Sequence, residues 1–257
     1  MKFPLRLSLD LFRGKVSRAF AGSRSDAMIL HLSPAAFAAP SQNEIDAESD
    51  PQAALMEIPA NIVGQTSAPV IWIGGEEPLD NPVIGRITAA LNAAGRNVFL
   101  HTGGAKLRQR IHEFRPHPRL FLTVELAGRQ GIHDRFVGQP GTFRRVIEGI
   151  RAAKLSGFYV CAHVTVGPQT QPCETGELFD SLDRHDVDGF IVSSGGRAEA
   201  ADSTEAQEKL GEIRSLVRCN RWEHFSELLE ASYGSAREVK KAIPVRATES
   251  GGCEESA

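Results

Sequence analysis

Four side chains in this sequence have the types and placement for acid–base or metal chemistry: Glu77, His101, Glu125 and His163. Each falls within or just after a short apolar run of strand length. Imidazoles and carboxylates on neighbouring strands could form a general acid/base pair or hold a divalent ion. His101, Glu125 and His163 are accordingly the candidate catalytic residues. Alternatively the histidines only hydrogen-bond inside a core, since clustered polar groups mark a site by frequency rather than by necessity. Ser193 and Ser194 end a further run and could hold a polar ligand, although serines are common at strand ends. The four cysteines, Cys161, Cys173, Cys219 and Cys253, match neither a zinc pattern nor a dense disulfide framework, so no metal ligands are assigned. Walker, Ser-His-Asp and His-Glu-x-x-His arrangements are absent, which removes those enzyme classes.

Six apolar runs would position these groups, at 28–32, 70–73, 97–102, 120–126, 158–166 and 189–193. Most are continuously apolar rather than alternating, as strands covered on both faces are. Helical patterns lie between them. Pro82 suits a first helical turn, Ile84, Ile87 and Leu91 follow at helical spacing, and Gly95 supplies a stop. Thr142 can cap a helix whose apolar face is Phe143, Val146, Ile147 and Ile150. The alternation predicts an α/β fold, an open parallel (β/α)6 partial TIM-type barrel with an N-terminal helix and C-terminal helices. In such barrels the active site lies at the carboxyl ends of the strands.

The expected division is an amphipathic basic helix over 1–26, the barrel over 27–200, C-terminal helices over 201–243 and a disordered tail over 244–257. In the first segment Leu5, Leu9, Phe12, Val16 and Phe20 form a stripe among Lys2, Arg6, Arg13, Lys15 and Arg18. Such a stripe either closes one end of the core, the preferred expectation, or docks on a membrane surface or partner. A net charge of -3 gives no support for nucleic acid as a partner. No run approaches the roughly 18 apolar residues of a membrane span, and Asp10 and Arg13 interrupt the opening segment, so a cytoplasmic protein is expected.

Ile73-Gly74-Gly75-Glu76-Glu77-Pro78-Leu79 resembles the Gly-Gly-Glu-Pro-Leu motif of radical S-adenosylmethionine (radical SAM) enzymes, with Glu76 in place of the second glycine. His101-Thr102-Gly103-Gly104 resembles the family's Thr-Asn-Gly strand end, and Val124-Glu125-Leu126-Ala127-Gly128 its Val-Ser-Leu-Asp-Gly. His133-Asp134-Arg135 and Gly138-Gln139-Pro140-Gly141-Thr142-Phe143 resemble the stretch leading into the following helix. Phe3-Pro4-Leu5-Arg6-Leu7 and the general layout look most similar to hopanoid-biosynthesis-type members. The resemblance implies that Gly75, Glu76, Glu77, Pro78, Thr102 and Gly103 occupy cofactor-binding positions.

The sequence departs from the family after the first run, where Cys-x-x-x-Cys-x-x-Cys would hold a [4Fe-4S] cluster. Residues 33–43 read Ser-Pro-Ala-Ala-Phe-Ala-Ala-Pro-Ser-Gln-Asn. Thiolates are the ligands such a cluster needs. The resulting expectations are a degenerate member without a cofactor, with no cluster at that loop, and with weak residual S-adenosylmethionine binding at best. Its expected role is a non-catalytic accessory or regulatory partner of an active family enzyme. A barrel enzyme using the His/Glu rim, and a small-molecule-binding module, are the alternatives.

Overall fold

The computed structural model of the protein describes residues 3–21, 27–37, 59–60, 62–64, 66–194 and 204–239. All six runs form strands: β1 (Ile29–Leu32), β2 (Val70–Ile73), β3 (Asn97–Thr102), β4 (Leu120–Glu125), β5 (Tyr159–Thr165) and β6 (Gly189–Ser193). They pair in chain order, every neighbour parallel, into one curled half-barrel. The principal helices among the described residues are α1 (Leu5–Ala21), α2 (Ile84–Ala93), α3 (Leu107–Arg110), α4 (Gln130–Val137), α5 (Thr142–Leu155), α6 (Pro172–Asp183), α7 (Thr204–Ser215) and α8 (Asn220–Val239). The expected boundary at 200/201, most of the long segment after β1 and the tail over 244–257 lie outside the described residues.

The interior is filled in layers. Phe99 stacks on Phe121 at 4.4 Å between ring centroids, on Phe225 at 4.6 Å and on Trp72 at 5.9 Å, forming an aromatic floor. Full burial of each such ring contributes about 1.5–3 kcal/mol. Trp222 closes over Gly189 so tightly that a Cβ there would lie 2.2 Å from its ring, which is why the strand begins with a residue lacking one.

Six strands leave a barrel open, and α8 fills the gap. Ser226 Oγ accepts from Val192 N at 3.0 Å and Glu230 Oε2 accepts from Ser194 N at 2.7 Å, on the β6 side. On the β1 side, Ser232 Oγ lies 2.6 Å from His31 Nε2. At the amino ends of the strands, α1 crosses the barrel: Asp10 accepts from Asn97 Nδ2 at 3.1 Å and pairs with Arg119 at 3.0 Å. Its buried side chains are Leu7 and Leu11, whereas Leu5, Leu9, Phe12 and Val16 are exposed. The helix thus closes the core as expected but not with the expected stripe, because the two leucines fit the space beneath the floor and the longer stripe lies on the opposite side. The side chain of Phe20 lies outside the described set.

Two local expectations are also corrected. Pro82 lies in the turn before α2, whose cap is Val83. Thr142 does not cap α5; the cap is Gly141, in the left-handed region at φ 79°, and the side-chain acceptor is Asp134, bonded by Gly141 N and Phe143 N at 2.8 Å each. The tight turn needs a glycine at the cap, so the capping carboxylate arrives from the end of α4.

Candidate functional site at the barrel mouth

Strand parity places His31, Trp72, His101, Glu125, His163, Thr165 and Ser193 on the inner side, toward the carboxyl ends. His163 Nδ1 lies 2.8 Å from His101 Nε2, and its Nε2 lies 2.8 Å from Ser193 Oγ. The three form one hydrogen-bonded chain across β3, β5 and β6. Trp72 stacks on His101 at 5.2 Å and presents an edge to His163. Glu125 sits opposite His163 in the register and accepts from Thr165 Oγ1 at 3.1 Å.

Burial sets the charge of this group. His163 is 1% exposed, so it lies beneath the rim rather than on it, and desolvation holds it well below the usual imidazole range, with His101 adding to the effect. His101 is lowered by desolvation, against the opposing pull of Glu125 and Glu77. His31 is lowered to about 4 by burial and then by His101. Tyr233, at the other side of the mouth, is raised to about 12 by burial. At neutral pH the mouth therefore holds neutral imidazoles, with Glu125 beside them, an arrangement able to accept a proton from a bound molecule or to orient its polar groups.

Beside this group, the segment after β2 builds a second feature. Glu77 Oε1 accepts from Leu79 N at 3.0 Å and Thr102 Oγ1 at 2.6 Å, and Oε2 accepts from Gly103 N at 2.9 Å. The bonds tie the β2 turn to the end of β3 and cap the short helical turn Pro78–Asp80. A carboxylate offers about four acceptor sites, so three bonds leave room for one more donor. Gly75, at φ 109°, has no atom within 4 Å of where a Cβ would project, and Gly75, Glu76 and Gly103 are exposed around the anchored carboxylate. The backbone here forms an open cradle.

The structure thus brings His101, Glu125 and His163 into one mouth and Gly75, Glu77, Pro78, Thr102 and Gly103 into one adjoining cradle, with Glu76 exposed at its edge. Sequence reasoning missed His31, Thr165, Ser232 and Tyr233. His31 had a signal, its parity with Trp72 in the neighbouring run. The α8 residues had none, because where a closing helix lands is a long-range outcome of packing.

Residues 38–182 match the radical SAM superfamily. The chain is 29% identical over 144 residues to the AdoMet-dependent heme synthase of Methanosarcina barkeri (strain Fusaro / DSM 804), a span of 54% of this chain and 41% of that relative. Streptococcus suis SuiB bound to S-adenosylmethionine superposes with a TM-score of 0.54 at 12% identity, over 80% of this chain and 52% of SuiB. SuiB bound to the precursor peptide SuiA gives 0.53 at 14% identity, over 79% and 50%. At such identity the superpositions speak for the fold, and the chain spans about half the length of these relatives or less.

These matches correct the expectation that no cofactor is used: the family matched acts with S-adenosylmethionine and a [4Fe-4S] cluster, and a relative is named for its dependence on the former. The expectation of at best weak S-adenosylmethionine binding rested on a missing cluster iron and on substituted contact side chains, Glu76 for a glycine and Ala127 for a carboxylate. The cradle is made largely of backbone, and its anchoring carboxylate is in place. The thiolate-free loop behind the cluster expectation lies, beyond Phe37, outside the described residues.

Proposed function

The chain belongs to the radical SAM superfamily, and from that premise we propose that it binds S-adenosylmethionine at the β2–β3 cradle and serves, in the cytoplasm, as an accessory or regulatory partner of an active family enzyme. The carrying observation is the Glu77 carboxylate, fixed by three donors with an acceptor site to spare beside the open Gly75 backbone. A methionine ammonium would take that site, beside the open backbone at Gly75. Glu77 orients the ammonium, Gly75 admits it, and Thr102 and Gly103 hold Glu77 in place.

The family acts with a [4Fe-4S] cluster, and the loop at 33–43 of this sequence carries no thiolate. The cluster's chemistry is one-electron reduction, and its ligands are thiolates. No cysteine precedes Cys161, which is buried within β5, and burial raises its thiol well above the usual range. The thiolate-free loop, set beside the open cradle, is what supports a role exercised with a partner over self-sufficient catalysis. One observation favours a second reading, a barrel enzyme without radical chemistry: the neutral, hydrogen-bonded His101–His163 pair, open to the mouth through His101 and adjoining Glu125.

Titration calorimetry with S-adenosylmethionine tests the binding step, with Glu77→Ala expected to weaken affinity at least tenfold, the size of one lost charge-assisted bond of about 1.5–3 kcal/mol. Equal binding by both proteins would place the ligand elsewhere. Incubation with S-adenosylmethionine and a strong reductant separates the roles: the partner role expects no release of 5′-deoxyadenosine by the chain alone and capture of a homologous enzyme from the native cell.

A further inference from the structure

The first helix has two apolar faces, and the fold uses one. Leu7 and Leu11 enter the core, while Leu5 (69% exposed), Leu9 (47%), Phe12 (65%) and Val16 (37%) line the opposite side. Their spacing, i, i+4, i+7 and i+11, makes a single stripe along about three turns. At 100° per residue, Arg6 and Arg13 flank one side of the stripe and Lys15 the other, all three exposed. Arg221, exposed at the start of α8, extends the second flank by donating to Ser8 Oγ at 3.1 Å.

Of the acids nearby, Asp10 pairs with Arg119 and Asn97, and Glu227 lies 3.1 Å from His224, whose other ring nitrogen lies 2.8 Å from Lys15 Nζ. A protein of net charge -3 thus concentrates cationic side chains around its exposed apolar stripe. Continuous with the stripe, an apolar groove of about 330 Å³ runs between α1 and α8, lined by Phe3, Leu11, Phe12, Phe225 and Leu228, with Lys15 at its edge.

We propose that this end of the barrel docks on the surface of an anionic lipid bilayer. The first helix lies in the interfacial plane, Leu5, Leu9, Phe12 and Val16 enter the acyl boundary, and Arg6, Arg13, Lys15 and Arg221 meet the headgroup phosphates. The groove admits the end of an acyl chain beside Phe12. Charge selects this occupant over a second copy of the chain, because an isologous contact through this face would bring the Arg6, Arg13 and Lys15 cluster of one copy against that of the other. No helix among the described residues is long and apolar enough to cross a membrane, which agrees with docking on the surface rather than spanning. Because α1 crosses the amino ends of the strands, the mouth with His101 and Glu77 faces away from the bilayer, open to a partner or substrate arriving from solution.

Flotation of the full chain with vesicles tests the proposal, comparing phosphatidylcholine alone with phosphatidylcholine carrying about 30 mol% phosphatidylserine. Binding is expected on the anionic vesicles, at least tenfold weaker on the neutral ones, and reduced about as much in ~0.5 M salt, where surface charges are screened. Leu9→Glu with Phe12→Glu should abolish it and Arg6→Gln with Arg13→Gln should weaken it, while both variants keep the wild-type circular dichroism and melting temperature, since all four side chains are exposed. Absence of binding to anionic vesicles, or binding that the Leu9/Phe12 variant retains, overturns the proposal. So does a dimer in light scattering that this variant dissociates, which would assign the face to self-association.

Discussion

The floor and the mouth of this barrel are built from the same strands with the same parity, yet they secure their side chains by opposite means. In β3, Phe99 belongs to the floor and His101, two residues further on, to the mouth. The floor is aromatic and held by close packing that no single hydrogen bond governs. The mouth is polar, and each ring nitrogen there has to find a partner or remain a cost. Stability is therefore concentrated at the amino end and adaptable chemistry at the carboxyl end, where burial keeps His31, His101 and His163 neutral.

The sharpest way to break that contrast is to cut into the floor. Phe121 is fully buried between Phe99 and Tyr159. Phe121→Ala should cost about 3–5 kcal/mol by lost burial plus the cavity left behind. Urea unfolding measures this, and a loss below about 1 kcal/mol would mean that the floor relaxes freely and is not a packed layer.

Acid should act on the mouth instead. His31 is held at about 4 by burial, whereas the unfolded chain takes up that proton near 6.5. A lowered base binds more protons when unfolded, so the stabilisation is complete above pH 6.5 and disappears as pH falls toward 4, by about 3 kcal/mol in total. His163 is pushed in the same direction. Unfolding midpoints measured across this window should flatten in His31→Gln relative to the wild type, and equal slopes would show that His31 is not a buried neutral base.

What could be read from the sequence follows the same divide. The strands were legible because burial on both faces leaves continuous apolar runs, and the cradle because Glu77 is followed by Pro78 at a strand end. The closing contacts were not legible. His31 meets Ser232 across some two hundred residues, and no local pattern records that meeting. In α1, both 5/9/12/16 and 7/11 are apolar, so periodicity could not say which set the core would take; the space beneath the floor decided it. Asp134 caps α5 across a turn whose left-handed Gly141 displaces the expected Thr142. Each of these outcomes depends on the assembled barrel rather than on neighbouring residues.

A single methyl group probes the seam between floor and wall. Gly189→Ala would push a Cβ to 2.2 Å from Trp222, a ring anchored by Nε1 donating to Asp188 O at 2.9 Å. Overpacking of this kind costs about 1–3 kcal/mol. The companion Gly189→Ala/Trp222→Phe should recover part of the loss if the clash is its source, because the six-membered part of the indole is the part approached. A double variant no better than the single one would relocate the strain to the β6 backbone.

The smallest effect expected is Ser193→Ala, and it discriminates most finely between the two ends. In the floor, removing one oxygen has no meaning; in the mouth it leaves His163 Nε2 without the partner it has at 2.8 Å, in a site 1% exposed. Loss of a neutral hydrogen bond costs about 1 kcal/mol, rising toward 3 when the remaining group stays buried and unpaired. Which ring nitrogen carries the proton follows from the chain: if Ser193 donates to Nε2, the His163 proton sits on Nδ1 and faces His101; otherwise Nε2 donates to Ser193 and Nδ1 accepts from His101. Nitrogen chemical shifts of the two imidazoles before and after Ser193→Ala should move together, because the two rings share one hydrogen-bonded chain. A shift confined to His163, with His101 unchanged, would break the chain into independent bonds and leave His101 to act alone at the rim.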